Sequence, residues 1–519
     1  EVSLAWVLQH PSPTLVVAAI TVAINIFLYI QIPKGFFPEQ DTGRLMGAIQ
    51  ASQDTSFQSM QQKLRRFENV VLKDPAVENV VAFTGGGSSN TGRMFVQLKA
   101  LKQRVPAVQV ISRLRRQMSQ VPGATLFLVP VQDIRVGGRQ SNAAYQFTLQ
   151  GDNLQDITTW TPRMMERMRT IPILRDVNSD QQDRGLLASL DIDRDTAYRL
   201  GLSTQLIDDT LYDAFGQRQV STMYTPLNQY HVVMEVAPQY WQNPETLQAI
   251  YVHAPNGSQI PLSSFTHFTR KNTTLTVSHQ SQFPAYTISF NLAEGVSLSD
   301  AVAQINAARN EIGVPASIQA RFQGTAQAYQ ASLASEPLLI GAALLAVYIV
   351  LGMLYESLIH PLTILSTLPS AGVGALLALM LFHIDLSVIA LIGIILLIGI
   401  VKKNAIMMID FALAAERLEG KTPREAIYQA CLLRFRPIMM TTMAALLGGL
   451  PLALGTGTGS EMRRPLGITI VGGLIVSQML TLFTTPVIYL VLDRLRLRLL
   501  ARAHPGRDVE HDTPIGSNA

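Results

Sequence analysis

The chain has 519 residues, of which 48% are hydrophobic and only 15% are charged, and its formal net charge is +4. Soluble domains carry about 25% charged residues, and this composition excludes a disordered chain, a collagen and a disulfide-stapled secreted module. The single cysteine, Cys431, excludes an intrachain disulfide and any cysteine-rich metal site, and the net charge is too small to indicate nucleic-acid binding.

Long intervals without charged residues predict six membrane-spanning helices, because a span needs about 20 apolar residues. The first lies within residues 1–33, which lack the basic start and the cleavage site of a signal peptide. The other five lie within residues 331–495, and the fourth span is long enough only if it continues through Lys402 and Lys403. The sequence therefore predicts a polytopic α-helical membrane protein with a large soluble block after its first span.

Basic residues predict the orientation of these spans. Arginines and lysines are frequent in the loop between spans four and five and in the tail, residues 496–519. Such clusters favour the cytoplasmic side. Counting back through the spans places residues 34–336 on the opposite side of the membrane, although Arg463 and Arg464 in the next loop argue weakly against this orientation.

The soluble block is predicted to contain one α+β pattern twice. Residues 34–140 alternate as β-α-β-β-α-β, the order of a ferredoxin-like subdomain, with a glycine-rich turn at residues 85–90. A second copy is predicted over residues 141–192 and 283–330, with strands near Val177 and Leu190 in its first part. Residues 193–282 then form an insertion, whose predicted tip at 216–228 is a mostly polar loop suited to contacting another chain.

Span four carries the most informative polar residues, Lys402, Lys403, Asn404 and Asp410. A lysine near the bilayer centre costs about 2.5–3.5 kcal/mol, and such residues usually mark ion or proton paths. Lys403 and Asp410 lie about 10 Å apart along a helix, so they cannot pair directly. The alternative is that the lysines extend to a membrane interface. Two lysines against one aspartate leave a deficit of carboxylate, which another helix bundle is expected to supply.

No catalytic motif is found in the sequence. Gly420, Lys421 and Thr422 resemble the end of a phosphate-binding loop, but Ala415 stands where that loop needs glycine. The chain also has no HExxH zinc motif and no GxSxG nucleophile motif. We therefore expect that the protein is not an enzyme and that it uses no metal or cofactor.

Five short motifs together are similar to one known family. They are IPKGFFP at 32–38, VGGRQSN at 136–142, LYES at 354–357, KKNAIMMIDF at 402–411 and LRFRP at 433–437. Across essentially its whole length the chain resembles the C-terminal half of a resistance-nodulation-division (RND) multidrug efflux transporter. The chain begins at Glu1 without a methionine, and we expect it to be one half of a longer pump.

The resemblance implies a trimeric proton/drug antiporter of the bacterial inner membrane that is driven by the proton motive force. Residues 34–336 would then lie in the periplasm, with residues 34–140 as porter subdomain PC1 and the second copy as PC2. The insertion would be half of a docking domain that meets an outer-membrane channel. The implied partners are an N-terminal half carrying an Asp-Asp pair, further subunits of a homotrimer or heterotrimer, a periplasmic adaptor protein and small-molecule drugs.

The resemblance also assigns roles to residues. Lys403 matches the lysine that interacts with the Asp-Asp pair, and Arg434 and Thr441 match its relay partners, so the proton relay is expected to include these three residues together with Lys402, Asn404 and Asp410. Phe83 and Phe95 flank the glycine-rich turn and are predicted to contact substrate. Their alternative role is that of ordinary strand core residues.

Three other functions remain open from the sequence. The chain could be a non-transporting scaffold or docking subunit of a heteromeric complex. A cluster of Met164, Met165 and Met168 suggests heavy-metal efflux, although methionines at helical spacing usually fill a core. Protein-export accessory factors of the same superfamily are disfavoured because they lack an insertion as large as residues 193–282.

Overall fold

The computed structural model describes residues 2–85, 88–134, 136–139, 141–240 and 243–503, with side chains as far as residue 495. Gly86 and Gly87 of the predicted turn, Gln140 of the VGGRQSN motif and residues 504–519 of the predicted tail lie outside the described residues. The chain forms two compact units, which are treated separately below. Unit 1 comprises Glu1–Ala51, Phe57–Asp180 and Ser278–Ala519, and unit 2 comprises Ser52–Ser56 and Gln181–Val277.

The first half of the chain contains two apolar helices followed by alternating strands and helices. In chain order the elements are α1 (Val2–Gln9), α2 (Pro11–Gln31), β1 (Arg44–Ala51), α3 (Phe57–Leu72), β2 (Val77–Thr84), β3 (Thr91–Leu98), α4 (Ala107–Met118), β4 (Ala124–Pro130), β5 (Tyr145–Gln150), α5 (Leu154–Arg169), β6 (Leu174–Ser179), β7 (Gly185–Ile192), α6 (Arg194–Arg199), α7 (Thr204–Phe215), β8 (Arg218–Tyr224) and β9 (Gln229–Met234).

Short strands continue the chain before the long helices begin. These elements are β10 (Tyr251–His253), β11 (Gln259–Pro261), β12 (Thr266–Thr273), β13 (His279–Gln280), β14 (Phe283–Leu292), α8 (Leu298–Ile312), β15 (Gln319–Gln323), α9 (Thr325–Tyr355), α10 (His360–Leu365), α11 (Leu368–Leu381), α12 (Val388–Glu419), α13 (Pro423–Ala453) and α14 (Ser460–Ala503).

The first sheet of unit 1 has the strand order β2-β3-β1-β4, and all its pairings are antiparallel. Every second side chain of β1 is buried, which is the period expected of a strand with one covered face. Helix α3 covers this face because its apolar residues recur every three or four positions. Its buried residues are Met60, Leu64, Phe67 and Val71.

The second sheet of unit 1 repeats this arrangement with β6, β14, β5 and β15, and β13 extends it beside β14. Helices α5 and α8 pack on it around Phe147, Ile288 and Phe290. Helix α8 is well delimited, because the Ser297 side chain accepts the Asp300 N–H at its start and Gly313 adopts a left-handed conformation at its end.

The pairing partner of β7, in unit 2, differs from the one that the sequence predicts. The strand predicted near Leu190 forms, but it does not join the second sheet; it pairs with β12, placing Leu190 opposite Phe268. Alternation of apolar residues identifies a strand without identifying its partner, and β12 lies more than 70 residues further along the chain. The predicted loop at 216–228 is instead largely the antiparallel hairpin of β8 and β9, whose Leu227 is 99% exposed.

Within the described residues, six helical segments are long and apolar enough to cross a membrane, and this confirms the six predicted spans. They are α2, α9, the pair α10–α11 taken together, α12, α13 and α14 as far as Leu495. Helix α14 packs against α2, α11, α12 and α13. Helix α9 differs, because its main contacts are with α10 and with the second sheet.

Glycines allow the closest helix contacts in this bundle. A Cβ atom on Gly374 of α11 would lie 2.5 Å from the carbonyl oxygen of Gly472 on α14, and one on Gly473 would lie 2.0 Å from Leu397 of α12. Small residues at helix contacts let backbones approach closely, which is how many membrane helices gain packing energy. Helices α11, α12 and α14 therefore form a tightly packed block.

Candidate functional site

Four of the six predicted relay residues, Lys402, Lys403, Asn404 and Asp410, lie on α12, a continuous helix of 32 residues. Ser387 caps its start by accepting the N–H of Ala390, and Gly420 ends it with a positive φ of 64°. Between these ends no proline interrupts the helix. Successive residues are therefore separated by about 100° around the axis, and neighbours such as Lys403 and Asn404 present their side chains in different directions.

Asn404 faces the interior and joins three helices through a hydrogen-bonded triangle. Its Nδ2 donates to Thr442 Oγ1 at 3.1 Å and to Gln478 Oε1 at 3.2 Å, and the Thr442 hydroxyl donates to the same Gln478 oxygen at 2.9 Å. Asn404 and Thr442 are only 6% and 4% exposed. Because buried polar groups need partners, this triangle fixes the relative positions of α12, α13 and α14 at the level of Asn404.

Lys402 and Lys403 directly precede Asn404 on α12, but neither side chain takes part in the triangle. The side chain of Lys403 is exposed and that of Lys402 is half-buried. Within the described part of the chain, neither lysine forms an ion pair with a carboxylate. The structure thus places Lys403 beside the triangle with its ammonium group directed away from the interior of this bundle.

Asp410 lies two turns further along α12 and is held by a tyrosine. The hydroxyl of Tyr355, the last residue of α9, donates to Asp410 Oδ1 at 2.5 Å. A second pair of this kind follows, in which the Tyr489 hydroxyl of α14 donates to Glu416 Oε1 at 2.7 Å. The ring of His360 lies between the two tyrosines, at centroid distances of 6.2 Å from Tyr355 and 6.0 Å from Tyr489.

Arg434 and Thr441 lie on α13 but outside the triangle. The Arg434 guanidinium stacks over the ring of Phe411 at 4.9 Å, and its Nε is buried with no hydrogen-bond partner among the described residues. The Thr441 hydroxyl donates to the carbonyl of Ile438 in its own helix at 3.2 Å. The structure therefore brings Thr442, and not Thr441, to Asn404.

The two predicted substrate residues lie side by side on the first sheet. Phe83 of β2 and Phe95 of β3 stack with ring centroids 6.1 Å apart, and they are 48% and 43% exposed. Val81, next to them on the same face of β2, is 63% exposed. These side chains form an uncovered apolar patch and are not part of the buried core of this sheet.

Sequence reasoning missed Gln478, Tyr355 and Tyr489. All three are uncharged, so a search for charged residues within apolar segments passes over them. A weaker signal was present, because a glutamine or tyrosine within a span usually has a hydrogen-bond partner. The sequence does not say which helix supplies that partner, since the contacts join residues 55 to 74 positions apart.

A match to a known protein family covers almost the whole chain. The AcrB/AcrD/AcrF family matches residues 1–493 of the chain. The chain belongs to this family. This match confirms the RND resemblance that the five motifs predicted.

Similar curated proteins are known for this AcrB/AcrD/AcrF-family chain. It is 59% identical over 497 residues to the multidrug resistance protein MdtC of Yersinia enterocolitica, and equally similar to MdtC of Escherichia coli O139:H28. Each alignment covers 96% of this chain and 48% of the relative. The chain thus spans about half the length of the curated relatives it matches.

Solved structures agree with the family fold. Two crystal forms of a heavy metal efflux pump match with TM-scores of 0.84 and 0.82 at 24% sequence identity. They cover 95% and 94% of this chain, and the chain covers 52% and 51% of theirs. At this identity the likeness establishes the fold alone.

The methionine cluster that suggested metal efflux lies in the core of the second sheet. Met164 and Met168 of α5 are fully buried and pack with Ile157 and Ile288, while Met165 packs partly buried at the edge of this cluster. Their sulfur atoms therefore fill apolar space in this family member. Among the described residues, no group of three or more histidine, cysteine or acidic side chains is arranged to hold a metal ion.

Proposed function

We propose that this chain is the C-terminal half of an inner-membrane RND efflux subunit that exports drugs and amphiphiles by proton antiport. The observation that carries the proposal is its 59% identity to the MdtC multidrug resistance proteins over nearly the whole chain. The position of Lys403 beside the buried Asn404 triangle supports it, because a cation placed at the midpoint of a span is suited to proton coupling.

In the proposed mechanism, Lys403 pairs with an Asp-Asp pair on a helix of the N-terminal half. Protonation of those carboxylates removes the partner of the ammonium group and shifts the equilibrium between two helix arrangements. The triangle of Asn404, Thr442 and Gln478 positions α12 against α13 and α14, so that a change at Lys403 acts on three helices together. Arg434, Thr441, Lys402 and Asp410 complete the proposed relay.

We assign the two sheets of unit 1 to porter subdomains PC1 and PC2. The strand orders β2-β3-β1-β4 and β6-β14-β5-β15 support a ferredoxin-like assignment for both. Unit 2 corresponds to the docking insertion that faces an outer-membrane channel. This assignment places residues 34–336 in the periplasm of a bacterium.

The proposed assembly is a trimer with a periplasmic adaptor protein and an outer-membrane channel. The similarity to MdtC favours a heterotrimer with an MdtB-like subunit over a homotrimer. The exposed hairpin of β8 and β9, with Tyr224 80% and Leu227 99% exposed, is a suitable contact for a neighbouring chain.

Phe83 and Phe95 are the proposed substrate contacts. Their stacked, half-exposed rings offer an adaptable apolar surface for bulky drugs. Phe83→Ala should therefore change resistance to some drugs more than to others. Phe283→Ala removes a phenylalanine of similar exposure, 42%, from the second sheet and serves as the control. A uniform loss of resistance to all drugs would indicate a folding defect in place of a substrate contact.

Lys403→Ala tests the proton relay in cells that produce this chain with its N-terminal half and partner subunits. The variant should lose drug resistance at an unchanged expression level. Lys421→Ala is the control, because Lys421 lies in the loop after α12, where it pairs with Glu419. If Lys403→Ala retained full resistance, the relay would be refuted, and the non-transporting scaffold subunit would become the better interpretation.

A further inference from the structure

Helix α14 carries a stripe of polar side chains that continues beyond the triangle. Gln478, Thr481, Thr485 and Tyr489 recur every three or four residues, so they lie on one face of the helix. The last three are each at most 3% exposed. One turn before Gln478 the same face carries the buried, apolar Leu474. The stripe therefore starts at the triangle and extends only toward the C-terminal end of α14.

The hydroxyl of Thr485 is buried without a partner. A threonine inside a helix usually bonds a carbonyl of the preceding turn, as Thr484 does with the Leu480 carbonyl at 3.0 Å. Thr485 is fully buried, and its Oγ1 has no hydrogen-bond partner among the described residues. Because a buried, unpaired hydroxyl is costly, this one calls for a functional explanation.

A proline adds a second polar group to the same turn. Pro486 has no N–H, so the carbonyl of Leu482 lacks its usual helical donor. In membrane helices, ordered water commonly bonds such freed groups. Thr481 and Thr485 are one turn apart, which places their Cβ atoms about 5–6 Å from each other. A single water molecule bridges a gap of this size between two hydroxyls.

The stripe ends at an acidic group. The Tyr489 hydroxyl donates to Glu416 Oε1 at 2.7 Å, and the ring of Tyr489 stacks on His360 of α10 at a centroid distance of 6.0 Å. Glu416 lies in the last turn of α12, beside the basic loop predicted to face the cytoplasm. From Gln478 to Tyr489 the stripe runs about 16 Å along the helix axis, so it connects the level of the triangle with the cytoplasmic end of the bundle.

We infer that this stripe is the path by which protons leave the relay toward the cytoplasm, an inference that rests on the proposed proton antiport. Ser477 begins the path, because its hydroxyl lies 3.2 Å from that of Thr481. Thr481, Thr485 and Tyr489 follow, joined by bridging water. Each hydroxyl accepts one proton and passes its own to the next group, so every hydroxyl is restored and one proton reaches the Glu416 carboxylate.

Proton uptake after a pH jump tests the path in proteoliposomes that hold this chain with its N-terminal half and partner subunits. Internal pyranine reports the pH, and ethidium is the transported probe. Thr485→Val should slow uptake about tenfold, because it removes one proton-transferring group while keeping the shape of the side chain. Thr485→Ser keeps the hydroxyl and should retain the original rate. Thr484→Val is the matched control, because the Thr484 hydroxyl bonds its own helix.

Thermal unfolding separates this role from a structural one. Thr485→Val should not lower the unfolding temperature, because the hydroxyl that it removes has no partner to lose among the described residues. Full uptake in Thr485→Val, an equal loss in Thr484→Val, no recovery in Thr485→Ser, or a lowered unfolding temperature in Thr485→Val would each overturn the path alone. If the unsubstituted pump took up protons no faster than empty liposomes, the proposed antiport would be refuted together with the path.

Discussion

The hydroxyl of Tyr355 lies 2.5 Å from Oδ1 of Asp410 and fastens the last residue of α9 to α12. Tyr355 is 8% exposed and packs in the same apolar cluster as Met408 and Ile409. The contact matters because α9 has few other attachments to α12. This hydrogen bond is therefore a large part of the contact between α9 and α12.

Tyr355→Phe should lower the free energy of unfolding by about 2 kcal/mol, because hydrogen bonds to charged groups contribute about 1.5–3 kcal/mol. The phenyl ring keeps the packing, so the loss reports on the hydroxyl. Denaturant unfolding in detergent, followed by tryptophan fluorescence, measures it. Tyr348→Phe, which removes a hydroxyl bonded to the Leu358 carbonyl at an exposed position, should cost clearly less. Equal losses of unfolding free energy in the two variants would show that the hydrogen bond to Asp410 contributes no more than the exposed one to Leu358.

Thr442→Val should destabilise the bundle, whereas Thr441→Val should not. The first substitution removes a buried hydroxyl from the triangle and leaves Asn404 and Gln478 incompletely paired, at a cost of about 1–3 kcal/mol. The second removes only a hydroxyl bonded to its own helix. Thermal unfolding distinguishes them. Loss of efflux in Thr441→Val at normal stability would support the proposed relay role of Thr441.

Gly374→Ala should destabilise the contact of α11 with α14. Its new Cβ would lie 2.5 Å from the Gly472 carbonyl oxygen and 3.0 Å from the Gly473 Cα, and a backbone cannot move aside as a flexible side chain does. We expect a loss of about 1–3 kcal/mol, as for other overpacked sites. Gly399→Ala on α12 is the control, because a Cβ there meets open space and alanine favours a helix. A stable Gly374→Ala protein would contradict the close packing.

Asp74 should make the first sheet sensitive to acid. Burial raises the pKa of its carboxyl, but hydrogen bonds from Arg113 at 2.6 and 2.7 Å and from the Ala76 N–H outweigh burial and hold the pKa below its ordinary value. A carboxyl whose pKa is lowered by folding stabilises the protein above its unfolded pKa, near 3.9. That stabilisation is lost as the pH falls through the lower, folded pKa.

Asp74→Asn should therefore cost about 2 kcal/mol at neutral pH and progressively less in acid. Hydrogen exchange of α3 and β2 as a function of pH measures both effects. Asp133→Asn is the control, because the ion pair of Asp133 with Arg44 is exposed on both sides and such pairs contribute about 0–1 kcal/mol. A cost for Asp74→Asn that did not change with pH would refute the assignment to the carboxylate charge.

The parts of this fold that the sequence predicts well are those set by local composition. Six apolar segments suffice to predict six spans, and the two lysines of α12 stand out because charge is rare there. Pairing over long distances is not local, and this explains the misplaced strand at Leu190. The threonine predicted for the relay, Thr441, shows that sequence reasoning is also limited within a single helix. Thr441 and Thr442 are adjacent, and only the rotation of α13 decides which one reaches Asn404.

Glu336 shows a second limit of prediction from the sequence, which concerns where a helix begins. It directly precedes an apolar interval, so a count of charge-free residues uses it as a boundary and does not place it inside a span. The structure shows α9 beginning eleven residues earlier, at Thr325, which moves Glu336 into the helix. The helix begins early because Ala326 and Tyr329 are buried against the second sheet, a contact that hydropathy does not detect.

The early start of α9 joins this membrane helix directly to the second sheet. Only Gly324 separates the end of β15 from the first residue of α9, so the second sheet and the membrane helix follow each other without a loop to absorb motion. Gly324 has a φ of 59°, a conformation that other residues rarely adopt. Any displacement of the second sheet would therefore act directly on the first turn of α9, whereas α11, α12 and α14 are held to one another by their close glycine contacts.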